Sequence, residues 1–503
     1  MRITGRAADE DEGAITSKPR WFGWVLVALL AALVGVVRAQ TTFIRTYGGS
    51  NYDCGESVRQ TSDGGYIIVG NARSFSPGSY QELYIVRTDA QGNQRWAKTY
   101  GDTLEQTAED VLPTADGGFM IVGFKTVRTV VRHRDIWLLR TNASGDTLWT
   151  RRIGLDANDA GNSIVEASDG GYVIVGQTGA NDAAQVCLVK VTANGSPVWN
   201  REFGGARMDY GCQVRRTADN GYVVAGVTYD AGYPYFSDVL LLKTDSAGLL
   251  TWSKTIGDRW SYEFASSVLV AEDNGYVILG SAERLGPGGY TPYLIRTNAS
   301  GDTLWTKCPT GSGGDGYSVC RASDGGYVMT GSSGRSDLWL HKVDNGGTNV
   351  WSQTYFSGLG LDWGQWVEPT SDGGYAVAGF TNSVGQFHND VVLLKTAADG
   401  TIGIEEPRPQ PPADRGRLLS VTSVNATRIG IRYHVPEHGK VVLGLYDHTG
   451  RSVAELVNGR RSPGSYSAEI VANKLPSGSY FCRLQAGGFT ETSRLVVVRE
   501  TRR

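Results

Sequence analysis

A carboxylate recurs at one fixed distance in this sequence, 13 positions before the aromatic residue of a repeated Asp-Gly or Asn-Gly motif. Its copies are Asp53, Asp159, Asp209, Glu263 and Asp362. Oxygen ligands suit hard cations, so a ring of such side chains around a channel mouth would bind Ca²⁺ or a cationic ligand. A residue repeated in most copies of a unit also suits a structural task, such as closing an Asx turn. We predict the structural role and no cofactor, with a Ca²⁺ site as the alternative.

A second group of candidate residues consists of aromatic side chains in segments that differ between copies of the motif. They are Tyr80, Tyr233, Tyr235, Phe236, Tyr290, Phe387 and His388. Aromatic rings bury a large area at low entropic cost, which favours contact with a protein or a glycan. The alternative is that they pack over strand edges as the small cores of loops.

Catalytic chemistry has little support in the sequence. None of the six histidines stands in a recognisable nucleophile motif, and HExxH, GxSxG and phosphate-loop motifs are absent. The six cysteines have no metal-ligand spacing, which favours isolated thiols over a disulfide framework. With a net charge of −3, the chain has no electrostatic attraction to nucleic acid. We therefore predict a protein that is not an enzyme.

The motif that fixes these spacings is SDGGYIIVG at 62–70. It recurs in seven copies, with its aromatic residue at positions 66, 119, 172, 222, 276, 327 and 375. A period of about 50 residues is typical of propellers and other repeat folds.

Each copy contains four short apolar segments bounded by Gly, Asp or Asn, which predicts four strands. We call them a to d. Segment b precedes the Asp-Gly turn, c is GYIIVG, d is LYIVRTD at 83–89, and a is WAKTYG at 96–101. Tight turns join b to c and d to a, so b, c, d and a form one antiparallel sheet. A lone sheet cannot bury both faces, but sheets stacked around an axis can.

The two ends of the repeat array complement each other. The seventh copy lacks segment a, and Phe43-Ile44-Arg45-Thr46-Tyr47-Gly48 at the other end matches WAKTYG. An N-terminal strand that completes the last sheet predicts a closed seven-bladed β-propeller over 40–404. An open β-solenoid is the alternative. The b–c and d–a turns then lie on one face (the turn face), and the a–b and c–d loops lie on the other (the variable-loop face), where we expect binding.

The N-terminal segment has the pattern of an export signal. Residues 21–37, WFGWVLVALLAALVGVV, follow Lys18 and Arg20 and precede small residues at 37 and 39. This pattern predicts a signal peptide over 1–39, with Gln40 as the mature N-terminus and only transient membrane contact through 21–37. An uncleaved anchor is the alternative, since the run is at the short limit of a bilayer span.

After residue 404 the pattern changes. Residues 405–417, EEPRPQPPADRGR, are Pro-rich and charged, which is typical of a semi-rigid linker. Residues 418–503 contain short alternating segments separated by HTG, NGR, SPG and PSG turns, which predict a small β-sandwich.

This C-terminal segment resembles the type A sorting domain of the type IX (Por) secretion system, an Ig-like sandwich similar to the flagellar hook-capping protein. The matching positions are Tyr446, Asp447, Gly450, Arg451, Val453, Leu456, Gly464, Leu475, Gly478, Tyr480 and Leu484. The repeats themselves resemble uncharacterised DGGY propeller arrays of secreted bacterial proteins. The resemblance implies Sec export, recognition of 418–503 by the secretion machinery, passage across a Gram-negative outer membrane, and release or attachment at the cell surface. The alternative is an Ig-like spacer domain that stays on the protein.

Together these observations predict a secreted or surface-attached propeller that binds an extracellular protein or glycan without catalysis. One alternative is a hydrolase or lyase acting on extracellular polysaccharide in the propeller funnel, which requires a close carboxylate pair there. The other is a purely structural envelope protein.

Overall fold

The computed structural model divides into two compact units, Met1–Glu405 and Glu406–Arg503. In the first it describes residues 40–76, 80–102, 104–128, 132–154, 158–179, 183–229, 236–257, 261–283, 289–309, 313–334, 337–356, 360–383 and 388–403. In the second it describes 419–425, 428–435, 438–447, 451–462, 464–471, 475, 478–486 and 489–497. The predicted signal peptide 1–39 and linker 405–417 lie outside these ranges. No helix in the described ranges is long and apolar enough to span a membrane.

The first unit is built of strands. In chain order they are β1 (Phe43–Tyr47), β2 (Asp53–Gln60), β3 (Tyr66–Ala72), β4 (Glu82–Thr88), β5 (Gln94–Tyr100), β6 (Asp110–Pro113), β7 (Phe119–Arg128), β8 (Arg132–Thr141), β9 (Thr147–Ile153), β10 (Ala160–Glu166), β11 (Tyr172–Thr178), β12 (Gln185–Val191), β13 (Pro197–Phe203) and β14 (Asp209–Arg216). They continue as β15 (Tyr222–Tyr229), β16 (Ser237–Thr244), β17 (Leu250–Ile256), β18 (Glu263–Val270), β19 (Tyr276–Glu283), β20 (Tyr290–Thr297), β21 (Thr303–Lys307), β22 (Gly314–Arg321), β23 (Tyr327–Ser333), β24 (Leu338–Val343), β25 (Asn349–Tyr355), β26 (Asp362–Pro369), β27 (Tyr375–Thr381) and β28 (Asp390–Thr396).

Within the described part of this unit the strands form seven four-stranded sheets in a β-propeller arrangement. Their orders are β2-β3-β4-β5, β6-β7-β8-β9, β10-β11-β12-β13, β14-β15-β16-β17, β18-β19-β20-β21, β22-β23-β24-β25 and β1-β28-β27-β26. The predictions of an all-β fold and of four-stranded antiparallel sheets are confirmed. The N-terminal strand β1 pairs with β28, from Phe43 opposite Lys395 to Tyr47 opposite Val391.

The hydrophobic cores lie between neighbouring sheets. Val173 and Val175 of one sheet share a core with Val214 and Tyr222 of the next. The last and first sheets share one in the same way, through Leu393 and Val58. The first strand of each sheet contacts the first strand of the next, and β26 contacts β2. These inner strands surround a central channel.

An aromatic residue at the start of each outer strand joins one sheet to the next. Trp96, for example, packs on Phe119 of the following sheet at a centroid distance of 6.2 Å. Phe43 of β1 takes the equivalent place against Tyr66, at 6.1 Å. The displaced strand thus makes the same contact across the join between the last and first sheets as tryptophan makes elsewhere.

The Asp-Gly motif holds an ion pair that recurs in every sheet. The motif carboxylate faces a lysine or arginine of the third strand at 2.5–3.0 Å, in the pairs Asp63–Arg87, Asp116–Arg140, Asp169–Lys190, Asp219–Lys243, Asp273–Arg296, Asp324–Lys342 and Asp372–Lys395. The cations are buried, Lys395 being only 1% exposed. A buried ammonium or guanidinium requires a partner, which explains why the aspartate recurs.

The two glycines after this aspartate have different tasks. The first adopts a positive φ, +78° at Gly170, and asparagine takes its place at Asn220 and Asn274 with φ of 62° and 61°. The second lies against the third strand, since a Cβ on Gly171 would stand 2.4 Å from the carbonyl oxygen of Val191. The first glycine is needed for its positive φ, and the second is needed because a side chain would not fit against the third strand.

The second unit contains two antiparallel sheets. Its strands are β29 (Leu419–Asn425), β30 (Arg428–Val435), β31 (Gly439–Asp447), β32 (Ser452–Arg461), β33 (Gly464–Val471), β34 (Gly478–Ala486) and β35 (Phe489–Val497). They are ordered β29-β30-β33 and β32-β31-β34-β35. Ile431 and Ile470 of the first sheet share one core with Leu443 and Leu484 of the second, so the sheets pack face to face.

Substitutions of the paired glycines test these two tasks. We expect Gly170→Asn to change the free energy of unfolding by less than about 0.5 kcal/mol, because asparagine tolerates this conformation. Gly171→Ala should cost more than about 2 kcal/mol, because the Cβ collides with backbone that belongs to the sheet. Denaturant unfolding followed by tryptophan fluorescence measures both. Equal losses would contradict the division of tasks.

Candidate functional site

The candidate site is a cavity of about 300 Å³ in the central channel, which we call the channel pocket. It is lined by Glu56, Glu109, Asn162, Tyr210, Cys212, Gln213, Phe264, Ala265, Ser266, Tyr317, Gln365 and Trp366. All belong to the inner strands or the residues just before them. Since these strands enter from the a–b loops, the pocket lies toward the variable-loop face.

A β-bulge in the inner strand places most of the polar lining residues. In β2 the register with β3 shifts between Gly55 and Ser57, so Glu56 has no partner across the ladder. The same shift leaves out Asn162, Cys212, Ser266, Tyr317 and Gln365 in five other sheets. Bulges redirect side chains and are common beside functional sites. Here each one provides a different side chain to the channel.

Glu56 and Glu109 are neighbouring acids in the pocket, on the first and second sheets. Glu56 accepts hydrogen bonds from the Cys54 thiol at 3.1 Å and from the Asn71 amide at 3.3 Å. Burial raises the pKa of Glu56 above its usual range. Burial, and then the charge of Glu56, raise the pKa of Glu109 to about 8. Among the described residues no ion pair joins either carboxyl to a lysine or arginine.

Beyond the pocket, a cross-channel cluster lies toward the turn face. Trp366 stands where most other inner strands have serine, and the guanidinium of Arg59 lies 4.1 Å from its ring centroid. Arg215, which belongs to the sheet on the opposite side, lies 5.7 Å from the same ring. Arg59 also pairs with Asp110 at 2.7 Å and lies 3.8 Å from Glu368. Arg215 and Trp366 thus approach each other from opposite sheets on the turn-face side of the pocket.

The repeated acids predicted from the sequence lie at the a–b loops, buried among loop hydrogen bonds. Asp53 accepts from the Gly49 amide at 2.8 Å and from the Ser74 hydroxyl at 2.6 Å. Asp362 accepts from the Ser383 hydroxyl at 2.6 Å, and Asp159 accepts from Thr178 at 2.5 Å. Asp209 accepts from the Gly205 amide at 2.7 Å. Glu263 likewise accepts from the Ser261 hydroxyl. Hydrogen bonds of this kind close loops, and the structural role of these acids stays a prediction.

The alternative of a Ca²⁺ site has no cluster to support it in the described ranges, where no group of three His, Cys, Asp or Glu residues could hold a metal ion. Each repeated acid bonds to groups of its own sheet or of the neighbouring loops. The described acids do not form one cluster.

The predicted loop aromatics are dispersed. Tyr80 is 41% exposed. Phe236 packs on Tyr262 at 5.3 Å and His388 on Tyr52 at 6.0 Å. Tyr290 packs at 5.3 Å on Phe264, which lines the channel pocket. Tyr233, Tyr235 and Phe387 lie outside the described residues. Tyr290 thus contacts the pocket lining.

The pocket residues are not among those predicted from the sequence, although the repeat contains a signal for them. In most copies the repeated acid is followed by a small residue two positions later, and the next position varies freely between Glu56, Asn162, Cys212, Ser266, Tyr317 and Gln365. A position that differs in each copy of an otherwise regular unit indicates a site more directly than loop composition does.

Comparison with known proteins gives no family. No protein-family model matches the chain. No curated protein sequence matches it either.

Solved structures show distant likenesses. PorZ, a surface component of the type IX secretion system of Porphyromonas gingivalis, is 11% identical with a TM-score of 0.43. That match covers 90% of this chain but only 60% of PorZ. An ulvan lyase of polysaccharide lyase family PL25 is 11% identical with a TM-score of 0.47, covering 71% of this chain and 96% of its own. Sqt1 from Chaetomium thermophilum is 10% identical with a TM-score of 0.42, covering 68% and 84%. Resemblances this remote assign no activity to the chain.

The acid pair should make the protein less stable as pH rises. An unfolded glutamate releases its proton near pH 4.5, whereas folded Glu109 holds its proton to about pH 8. The folded state therefore binds more protons in this window, and stability falls as pH increases through it. Glu368, whose pKa burial raises to about 7, acts in the same direction.

We expect Glu109→Gln to flatten this dependence and to stabilise the protein at pH 8 by about 1 kcal/mol or more relative to the wild type. The nearby charges of Glu56, Asp110 and Arg134 remain in the variant. Guanidinium unfolding at pH 5 and pH 8 provides the comparison. A variant that is less stable than wild type at pH 8 would show that Glu109 is ionised and stabilising.

Proposed function

We propose that this protein is an extracellular, non-catalytic binding protein, a closed seven-bladed propeller that holds the end of a glycan chain in its channel pocket. The observation that supports this proposal most is the pocket itself, where polar bulge residues and aromatic rings converge from different sheets. The proposal moves the binding site from the loop aromatics to the channel.

The side chains below the pocket favour ligand entry from the variable-loop face. Trp366 and the arginines beside it lie on the turn-face side of the pocket, so we expect a ligand to enter from the variable-loop face and to stop at Trp366. A cavity of about 300 Å³ is at the small end of the range for ligand sites. It suits a chain terminus rather than a folded partner.

The lining suits a saccharide. Tyr317 stacks on Trp363 at 5.7 Å and 27°, which fixes its ring at the pocket wall. Phe264 also lines the pocket, and its ring packs on Tyr290. Asn162 and Gln365 supply amides, and the amide of Asn162 is oriented by donation to the Gly211 carbonyl at 2.8 Å. Flat rings with a few placed polar groups provide both area and orientation.

A glycan hydrolase or lyase is the second candidate, favoured by Glu56 and Glu109. Carboxylate catalysis separates two pKa values, so that one group donates a proton while its partner stays ionised. Here burial raises the pKa of both acids, which supports binding over catalysis. Release of reducing ends or unsaturated products from polysaccharides, abolished by Glu109→Gln, would establish the enzyme instead.

The C-terminal unit is proposed as an Ig-like sorting domain. Several positions of the resemblance are core residues of its two sheets, among them Leu475, Tyr480 and Leu484. The signal peptide, the linker and this domain together support export and a location outside the cell.

Glycan binding should depend on the pocket wall. We expect Tyr317→Ala to weaken binding on a glycan array by about 10-fold or more, since a buried aromatic contact is lost. The matched control is Tyr80→Ala, which removes an exposed loop tyrosine and should leave binding unchanged. Loss of binding in Tyr80→Ala alone would indicate that the binding site lies on the loops. No glycan bound by the wild type would favour a structural envelope protein.

Export should leave a defined mature species. We expect a protein outside the cell that starts at Gln40 and ends within about 405–417, because the signal peptide and sorting domain are removed. Intact mass of the protein from fractionated native cells and medium gives both ends. Retention of 418–503 would indicate a working C-terminal domain, and retention of 1–39 would indicate an anchor.

A further inference from the structure

The two pocket acids have an unusual electrostatic setting. Glu56 and Glu109 are partly buried and lie close enough that the charge of Glu56 raises the pKa of Glu109. Glu56 accepts hydrogen bonds from two neutral donors, the thiol of Cys54 and the amide of Asn71, and Glu109 bonds to the neutral side chain of Thr107. Two adjacent carboxyls without a cation are costly to ionise in a partly buried site. A positively charged ligand would relieve this cost.

The neighbouring cations are engaged elsewhere. Arg134 is the arginine that acts on Glu109, and it pairs with Glu105 at 3.2 Å. Arg59 pairs with Asp110 at 2.7 Å below the pocket. Arg215 rests on Trp366, where burial and then the charge of Arg59 lower its pKa to about 10. Of the other titratable groups that face the acids, Cys54 and Tyr317 are neutral at physiological pH because burial raises the pKa of each.

Part of the remaining pocket wall is aromatic. Tyr210, Phe264 and Tyr317 line the pocket, and Trp366 lies at its inner end. The face of an aromatic ring attracts a cation, and cages of such rings bind quaternary ammonium groups. Carboxyls and aromatic rings around one small cavity therefore select for a compact organic cation over a neutral group or an anion.

We infer that the channel pocket binds an ammonium group at the end of its ligand, held between the Glu56 and Glu109 carboxylates and the aromatic walls. This inference rests on the proposed binding function and specifies the charge of the group that enters. Because Glu109 keeps its proton in the empty pocket up to about pH 8, entry of the cation releases that proton. Affinity consequently rises with pH up to about 8 for a ligand of permanent charge.

The test compares choline with 3,3-dimethylbutan-1-ol, which has the same shape but a carbon in place of the charged nitrogen. Titration calorimetry on the full mature protein at pH 7.5 should show choline binding at least 10-fold more tightly than the alcohol. The heat should be more exothermic in Tris than in phosphate, because the released proton is taken up by the buffer. Glu56→Gln and Glu109→Gln should each weaken choline binding at least 10-fold.

Glu272→Gln is the matched control, since this glutamate is 78% exposed at an Asp/Asn-Gly turn on the turn face; it should bind as wild type does. Equal binding of the two probes, no choline binding, or choline binding that survives the double Glu→Gln variant would each overturn the inference. The glycan array is a separate readout. If the protein binds glycans on the array but does not prefer choline over the alcohol, the ammonium inference is wrong and the proposed function stands. If it binds no glycan on the array, the proposed function is wrong.

Discussion

The structure depends on contact between each outer-strand aromatic residue and the next sheet. A four-stranded sheet has two apolar faces, and each of them is buried only if a neighbour is present on both sides. Trp199 and Trp252, for instance, pack on Tyr222 and Tyr276 of the sheet that follows. Phe43 closes the series on Tyr66, so no sheet is left with an open face. The channel exists because these contacts close the sheets into a ring.

The motif that first reveals the repeat supports these contacts. Its aspartate neutralises a buried cation of the third strand, one glycine allows the turn and the other allows close approach of the strands. The turn side chains also hold one another, as when Thr114 donates to Asp116 at 2.6 Å. The motif is therefore a structural unit, and its acids are used in ion pairs and hydrogen bonds at the turn face.

Much of the fold follows from the sequence. The alternation of Asp-Gly turns and apolar runs predicted the antiparallel sheets, and the match between 43–48 and WAKTYG predicted the pairing of β1 with β28. The site was not predicted, because the loop aromatics were favoured over the inner strands. Glu56 and Glu109 stand 53 positions apart in the sequence, and the curvature of the ring, together with the bulge at Glu56, brings them to one cavity. A period tells where copies repeat, but not which face of a bulged strand meets the channel.

The bulge also separates the molecule's specificity from its stability. Glu56 and its counterparts are outside the ladder of paired residues, so their side chains take no part in the strand pairing. Each sheet with such a bulge thus exposes one position whose identity the fold does not dictate. The inner ring therefore provides a set of positions that can be substituted independently. Each substitution can change the ligand preference while the scaffold stays the same.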